Sequence, residues 1–351
     1  MKAIYLDQEG SHRQFLPLTL TRSYLDLRVG ILLVHEKWTQ LAKNQSVELS
    51  IALNASDDAI TIPACKIPKP GLDLVEFLKT GTGQDDFFYT LDSVWELLRV
   101  LPQLILDDCT LLGGHTAVTS VTNGVQQWGS HPFFKDPLAS VEPCFIHTED
   151  GPVFIDAGAR IMAGSMLRGP LYIGKNSTVK MGTALYSGTV IGDNCIVGGE
   201  IKNTIIHNNS NKSHHGYLGD SYIGEWCNLG AGTSCSNLKN TAGTIGVWNM
   251  GKRAFEKAGD KMGIIMGDHV RTAVNTQFNS GTVIGSFSNI FNTGFLSLKY
   301  YPPFSWGGEA SAPYQISKLL VDVERWMKMK NQHPDTRYME HIKELYKQYT
   351  A

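Results

Sequence analysis

Charge is scarce in this 351-residue chain. Asp, Glu, Lys and Arg make up 18% of it, against roughly 25% in an ordinary soluble protein. With 31 basic and 33 acidic side chains the net charge is -2, which gives no electrostatic reason to expect a nucleic acid or an anionic membrane as partner. No apolar run approaches the length of a membrane span. The opening MKAIYLDQEG has acids where a secretory signal needs an apolar stretch. The six cysteines, Cys65, Cys109, Cys144, Cys195, Cys227 and Cys235, contain no CxxC pair. Reduced thiols in a cytoplasmic protein are the expectation for a chain this long.

Glycine is plentiful, at 35 residues, and so is periodicity. Ile155, Ile161, Leu167, Ile173, Val179, Leu185, Ile191 and Val197 recur at steps of six. Four positions after each stands Ala159, Ser165, Leu171, Ser177, Thr183, Thr189, Cys195 or Ile201, mostly small or β-branched. The pattern resumes at Ile223, Leu229 and Cys235, and again at Met266, Thr272, Phe278, Ile284, Ile290 and Leu296. A helix cannot use a period of six, because the apolar positions would rotate around all its faces. A flat strand would show a period of two. Six residues fit one side of a triangular prism of short parallel strands, with the aliphatic residue inward and Gly or Asn at the corners. The pattern predicts a mainly β fold, a left-handed parallel β-helix over about 155–300.

Residues 1–110 read as a small α/β unit. KAIYL and ELSIALNA look like strands, and segments near 23–42 and 91–105 look helical. A Pro- and Gly-containing linker is expected over 111–150, the solenoid over 151–305 and a helical extension over 306–351. The six-fold pattern breaks for about thirty residues after Cys235, which predicts a loop leaving one corner.

The most chemically suggestive stretch lies between these repeats: HHGYLGD, then NLGAGT and SCSN. His214 stands three residues before Tyr217, and Lys202 twelve residues before His214. These motifs, with GDHVRTAVNTQFNSGTVIG further on, resemble the hexapeptide-repeat acyltransferases. They are most similar to the acetyltransferase domain of the bifunctional N-acetylglucosamine-1-phosphate uridyltransferase/glucosamine-1-phosphate acetyltransferase family.

The resemblance implies a transferase that moves an acetyl or related acyl group from acetyl-CoA to an amino or hydroxyl group of a sugar phosphate or nucleotide sugar. It implies His214 as general base, with His215 an ordinary surface residue. Lys202, Tyr217, Asn228 and Asn237 would bind the substrate, and Ala231, Val274 and Asn292 would contact acetyl-CoA, in a homotrimer. Two positions depart from the family: Tyr186 stands where it has a phosphate-gripping arginine, and Leu238 where it has a tyrosine. A phenol does not replace a bidentate guanidinium, so either the substrate lacks that phosphate or it is held otherwise, with Lys239 and Lys252 of the inserted loop as candidates.

The amino-terminal stretch YLDQEGSHRQFLPLTLTR is distantly similar to the nucleotide-binding loop of the same family, through Gly10, Arg13 and Pro17. It is also similar to bacterial sugar nucleotidyltransferase-like proteins with a reduced first domain. The dense glycine cluster that wraps a triphosphate is absent. Asp107 and Asp108 are candidate Mg²⁺ ligands should that domain be active. Two further readings stay open: a sugar-1-phosphate nucleotidyltransferase with the β-helix as trimerisation scaffold, and a non-catalytic ligand-binding trimer.

Overall fold

Val153 pairs in parallel with Leu171, and Leu171 with Thr189, a repeat of 18 residues. The same step links Arg160 to Thr178 and Thr178 to Ile196. Three faces follow one another along each such coil. The first face includes Met166–Arg168, Ala184–Leu185, residues 200–202 and 217–219, and Ser234–Cys235. The second includes Val153–Ile155, Leu171–Ile173, Thr189–Ile191, residues 204–206 and 221–223, and Ile265–Met266. The third includes Thr178–Val179, Ile196–Val197, Asn211–Lys212, Asn228–Leu229 and Arg271–Thr272. This computed structural model describes residues 2–52, 59–81, 85–113, 124–291, 298–309 and 312–351.

The fold is the expected parallel solenoid. Every aliphatic residue of the six-fold series from Ile155 to Val197 is buried, as are Ile223, Met266, Ile284 and Ile290. Leu296 lies outside the described residues. Corner positions at Asn176, Asn194 and Asn275 have φ near +57°, a left-handed conformation that Asn tolerates better than most residues. The small residues fill the corners from inside and cap main-chain carbonyls: the Ser165 hydroxyl donates to the carbonyl of Met162 at 2.8 Å.

Two features depart from the expectation. Strands Gln126–Trp128, Phe133–Lys135 and Phe145–His147 pair into the solenoid sheets. The coil therefore begins inside the stretch read as a linker, where aromatic residues hide the aliphatic period. The coils around Gly198 are also irregular: Ile196 pairs with Asn211, a step of 15, and Asn211 with Asn228, a step of 17.

The amino-terminal unit has a three-stranded parallel sheet with β1 (Lys2–Asp7) between β2 (Leu49–Ala52) and β3 (Ala59–Pro63). Around it stand α1 (Glu9–Gln14), α2 (Val34–Asn44), α3 (Leu74–Thr80) and α4 (Val94–Leu111). Ser93 caps α4 and Asp73 caps α3, each accepting from a main-chain N–H in the first turn.

This unit is packed along the second solenoid face. There one apolar residue of each strand is turned outward: Phe154, Tyr172, Val190, Ile205, Tyr222, Ile265 and Val283 share one core with Trp38, Leu97 and Leu101. Phe154 and Tyr172 are each 4% exposed, so an aromatic stripe that would otherwise face water is covered. The insertion after Cys235 is a hairpin, Ile245–Asn249 paired with Ala254–Gly259. Its Ile245, Val247 and Ala258 join that same core.

The expected carboxy-terminal helices are α5 (Ile316–Lys328) and α6 (Thr336–Thr350). They cover the edge between the second and third faces, where Trp226, Phe287 and Phe304 pack with Leu319, Val323 and Ile342. His269 is stacked between Trp226 and Phe287, with ring centroids 6.1 and 5.2 Å away. The first face and its edge with the third remain open. Among the described residues no helix is long and apolar enough to cross a membrane.

Candidate functional site

The open edge between the third and first faces is formed by the corners that link their strands. His214 and His215 occupy one such corner, Ala231 the next, and Val274 the one after. The Gly232 N–H donates to the carbonyl of His215 at 3.1 Å, and the Asn275 N–H to that of Ala231 at 2.6 Å. These bonds stack the three corners in consecutive coils. His214 and His215 are exposed, Ala231 is half-buried, and Val274 is 65% exposed. An imidazole and a strip of small or apolar residues therefore share one edge. Asn292 lies outside the described residues.

Tyr217 and Lys202 stand on the adjoining first face. Glu200 pairs with Tyr217 and Lys202 with Gly219. The Tyr217 hydroxyl occupies the space that a Cβ on Gly219 would fill, 2.2 Å from the position of that atom. The phenol thus lies along its own strand, over the glycine. Burial, with Asp220 and Glu200 nearby, pushes its pKa up to about 12, so it stays a neutral hydrogen-bonding group. Lys202 is exposed. Tyr186 stands in the same row, because Leu185 pairs with Ile201.

Asn237 is at the far edge of this face, where its amide donates to Asp220. Asn228 is not brought to this group. It lies on the third face beside Asn211, whose side chain accepts from Lys330 at the end of α5 at 3.0 Å.

Both lysines of the insertion are engaged in local contacts. Lys252 is paired with Glu256 at 2.5 Å within the hairpin, and Lys239 is bonded to the carbonyl of Thr244. One side of the hairpin packs against the amino-terminal unit, and its Lys252 is paired inside the hairpin. A feature that the sequence did not reveal is a cavity of ≈ 400 Å³ on the first face, lined by Trp128, Phe145, Met166, Arg168 and Tyr186. Trp128 and Phe145 stack with centroids 5.9 Å apart. Aromatic residues at coil-length spacing were its only signal.

The proposed Mg²⁺ ligands do not converge. Both lie on α4, not at a strand end. Asp108 is wholly buried, paired with Lys37, and accepts from the N–H groups of Ile31 and Leu32. Asp107 accepts from Tyr89 and Gln103. Among the described residues no cluster of three or more His, Cys, Asp or Glu side chains is placed to hold a metal ion.

The loop after β1 lines a larger cavity of ≈ 790 Å³, with Gln8, His12, Arg13 and Arg22 on one side and α6 on the other. Arg22 itself is committed to Asp268 at 2.5 Å and Glu225 at 3.0 Å on the solenoid. All six cysteines are free. Burial pushes the thiols of Cys195, Cys227 and Cys235 up to about 12, so they are inert core residues.

The family described as sugar nucleotidyl transferase matches residues 3–55. Among curated relatives, the bifunctional protein GlmU of Methanocaldococcus jannaschii is 39% identical over 100 residues, covering 28% of this chain and 24% of that protein. The bifunctional sugar-1-phosphate nucleotidylyltransferase/acetyltransferase of Sulfurisphaera tokodaii is 35% identical over 147 residues, 40% of this chain and 35% of that protein. The chain is similar to bifunctional nucleotidyl- and acetyltransferases. It aligns with a quarter to a third of the length of these relatives. The solved structure of an Arabidopsis UDP-N-acetylglucosamine acyltransferase matches 65% of this chain and 90% of its own at 14% identity. Its TM-score is 0.20, at which the likeness carries no argument.

Proposed function

We propose that the open solenoid edge transfers an acetyl or related acyl group from acyl-CoA to an amino or hydroxyl group of a sugar phosphate or nucleotide sugar. His214 is the general base. The observation that carries this reading is the stacking of His214, Ala231 and Val274 in successive corners of one edge, with Tyr217 and Lys202 on the face beside it.

The acceptor's nucleophile attacks the thioester carbon as its proton passes to the His214 imidazole. The tetrahedral oxyanion then collapses, the C–S bond breaks, and the departing thiolate takes the proton from the imidazolium. Acetyl-CoA would lie along the edge, where small side chains leave room for its pantetheine arm. Lys202 and Tyr217 would hold the acceptor. Asn237, already bonded to Asp220, and Asn228, around the corner, are its weaker candidates. The reading includes a homotrimer in which edges from neighbouring copies meet.

The test is CoA release, followed with a thiol reagent, against a panel of amino sugars, sugar phosphates and nucleotide sugars. His214→Ala is expected to lose about 10²- to 10⁴-fold in rate with its melting temperature unchanged, and His215→Ala to stay near wild type. Equal activity of wild type and His214→Ala would sink the assignment.

A second reading, sugar-1-phosphate nucleotidyl transfer, is favoured by the family match over residues 3–55 and the cavity beside the loop after β1. It is weakened by the engagement of Arg22, Asp107 and Asp108 in internal contacts. Pyrophosphate release from a nucleoside triphosphate and a sugar 1-phosphate would distinguish it.

A further inference from the structure

Lys212 occupies a slot that belongs to an aliphatic residue. It pairs with Val197 in the preceding coil and stands beside Leu229 in the next, and both of those line the solenoid core. Lys212 is 2% exposed. Among the described residues it forms no ion pair with a carboxylate. Its ammonium instead donates to two main-chain carbonyls, that of Gly198 at 3.0 Å and that of His214 at 2.6 Å. A buried cation with only carbonyl partners is costly, and burial lowers its pKa to about 8. Its presence in the core therefore calls for a reason.

The reason lies in the corners. Along this edge three coils carry a hydroxyl on the last corner residue that caps a carbonyl three positions back. Ser165 does so for Met162, Thr183 for Lys180 and Thr276 for Ala273, at 2.8, 2.5 and 2.7 Å. The equivalent residues in the two coils around His214 are Gly199 and Gly216. Neither accepts a side chain. A Cβ on Gly199 would stand 2.8 Å from the His214 carbonyl oxygen, and one on Gly216 would stand 2.1 Å from that of Thr233. The hydroxyl device is thus sterically excluded where His214 sits, and Lys212 reaches two other corner carbonyls, those of Gly198 and His214, from the adjoining strand.

We propose that Lys212 is a positioning residue for His214: by holding the His214 carbonyl from inside the prism, it fixes the corner that presents the imidazole at the open edge. This inference rests on the reading of His214 as the general base. Lys212 touches no substrate. It acts through the main chain, and a small displacement of a catalytic group is enough to cost about 10²-fold in rate.

The experiment compares Lys212→Met, Lys212→Gln, His214→Ala and the double variant Lys212→Met/His214→Ala in the CoA-release assay. A crystal structure of Lys212→Met accompanies it. Lys212→Met is expected to lower kcat by about 10- to 100-fold with KM for acetyl-CoA within about twofold. The crystal structure should show the 213–216 corner displaced. The double variant is expected to be no slower than His214→Ala, because a brace has nothing to act on once the base is gone.

If His214→Ala is inactive while Lys212→Met keeps wild-type kcat, or if the two losses multiply, the brace is wrong and the base assignment stands. If His214→Ala is fully active, the base assignment fails first and takes the brace with it. Failure of both Lys212 variants to fold would restrict the lysine to stability and overturn the proposal.

Discussion

Asn237 donates its side-chain amide to Oδ2 of Asp220 at 2.5 Å, across adjacent coils. The other carboxylate oxygen accepts from Asn203 at 2.7 Å, so Asp220 is clamped from both sides in a polar ladder along one edge. Asp220 is 8% exposed, and a buried carboxylate that loses a donor bears its desolvation cost. Asn237→Ala should therefore destabilise the protein by about 1–3 kcal/mol in urea unfolding. Asn237→Asp, which sets two carboxylates against each other, should cost more. Wild-type stability in Asn237→Ala would free this residue for a purely ligand-binding role.

The Lys37–Asp108 pair has side chains only 1% and 0% exposed. Burial raises the Asp108 pKa, and Lys37 is the leading influence that opposes the rise. Removing one partner of a buried pair leaves the other uncompensated. Lys37→Met is expected to cost about 3–5 kcal/mol, with much of this recovered in Lys37→Met/Asp108→Leu. Chemical denaturation of the three proteins checks it; equal stability of the single and double variants would refute the coupling.

Two histidines make the fold sensitive to acid. His207 accepts at Nδ1 from the Asn208 N–H at 2.9 Å, and its Nε2 lies 3.2 Å from the carbonyl of Asp26, a pattern suited to a neutral ring. Burial, then Arg22 and Arg28, holds its pKa well below 6.5. Burial, then Arg271 and Arg22, does the same for His269. The folded rings stay neutral while the unfolded rings take up protons below about pH 6.5. Stability is therefore fully present above that pH and falls on acidification, by about 1.4 kcal/mol per pH unit for each histidine. Melting curves from pH 7.5 to 5 should show the decline, and His207→Gln should flatten it. An unchanged slope in that variant would exclude His207 as a source.

No pyrophosphate release is expected from any nucleoside triphosphate with a sugar 1-phosphate. The loop after β1 lacks its glycine cluster, and the candidate metal ligands are engaged elsewhere. Turnover at about 1 s⁻¹ or faster would overturn this expectation.

The trimer is expected to use the open first face and its edge with the third, because the second is already covered by the amino-terminal unit. Sedimentation at micromolar concentration should give three copies. Substituting Trp128 and Phe145, exposed at 50% and 43%, should weaken the assembly if that apolar patch is part of the contact. A monomeric wild type would rule it out.

The solenoid was legible because a period of six is hard to produce by accident and fits no helix or flat sheet. Its first coils were not legible, since Phe133 and Ile146 follow no clean aliphatic series. Nor was the docking of the amino-terminal unit. Its signal was present, as apolar residues at both the inward and outward positions of the second face, such as Phe154 between Val153 and Ile155. A search for inward residues alone passes over them. The His214 corner carries a local motif, whereas Lys212, a charged residue at a core position, has none. Ion pairs such as Lys37–Asp108 join residues 71 positions apart, and no local spacing announces them.

The short corner at Gly198 and Gly199 has a mechanical consequence. Two residues turn the chain there, and four turn it one coil later at 213–216. Stacked coils of unequal girth cannot keep their rims flush, so the register slips at this level, as it does at a dislocation in a crystal. A molecule lying along the edge meets a step at that level, and His214 stands on it.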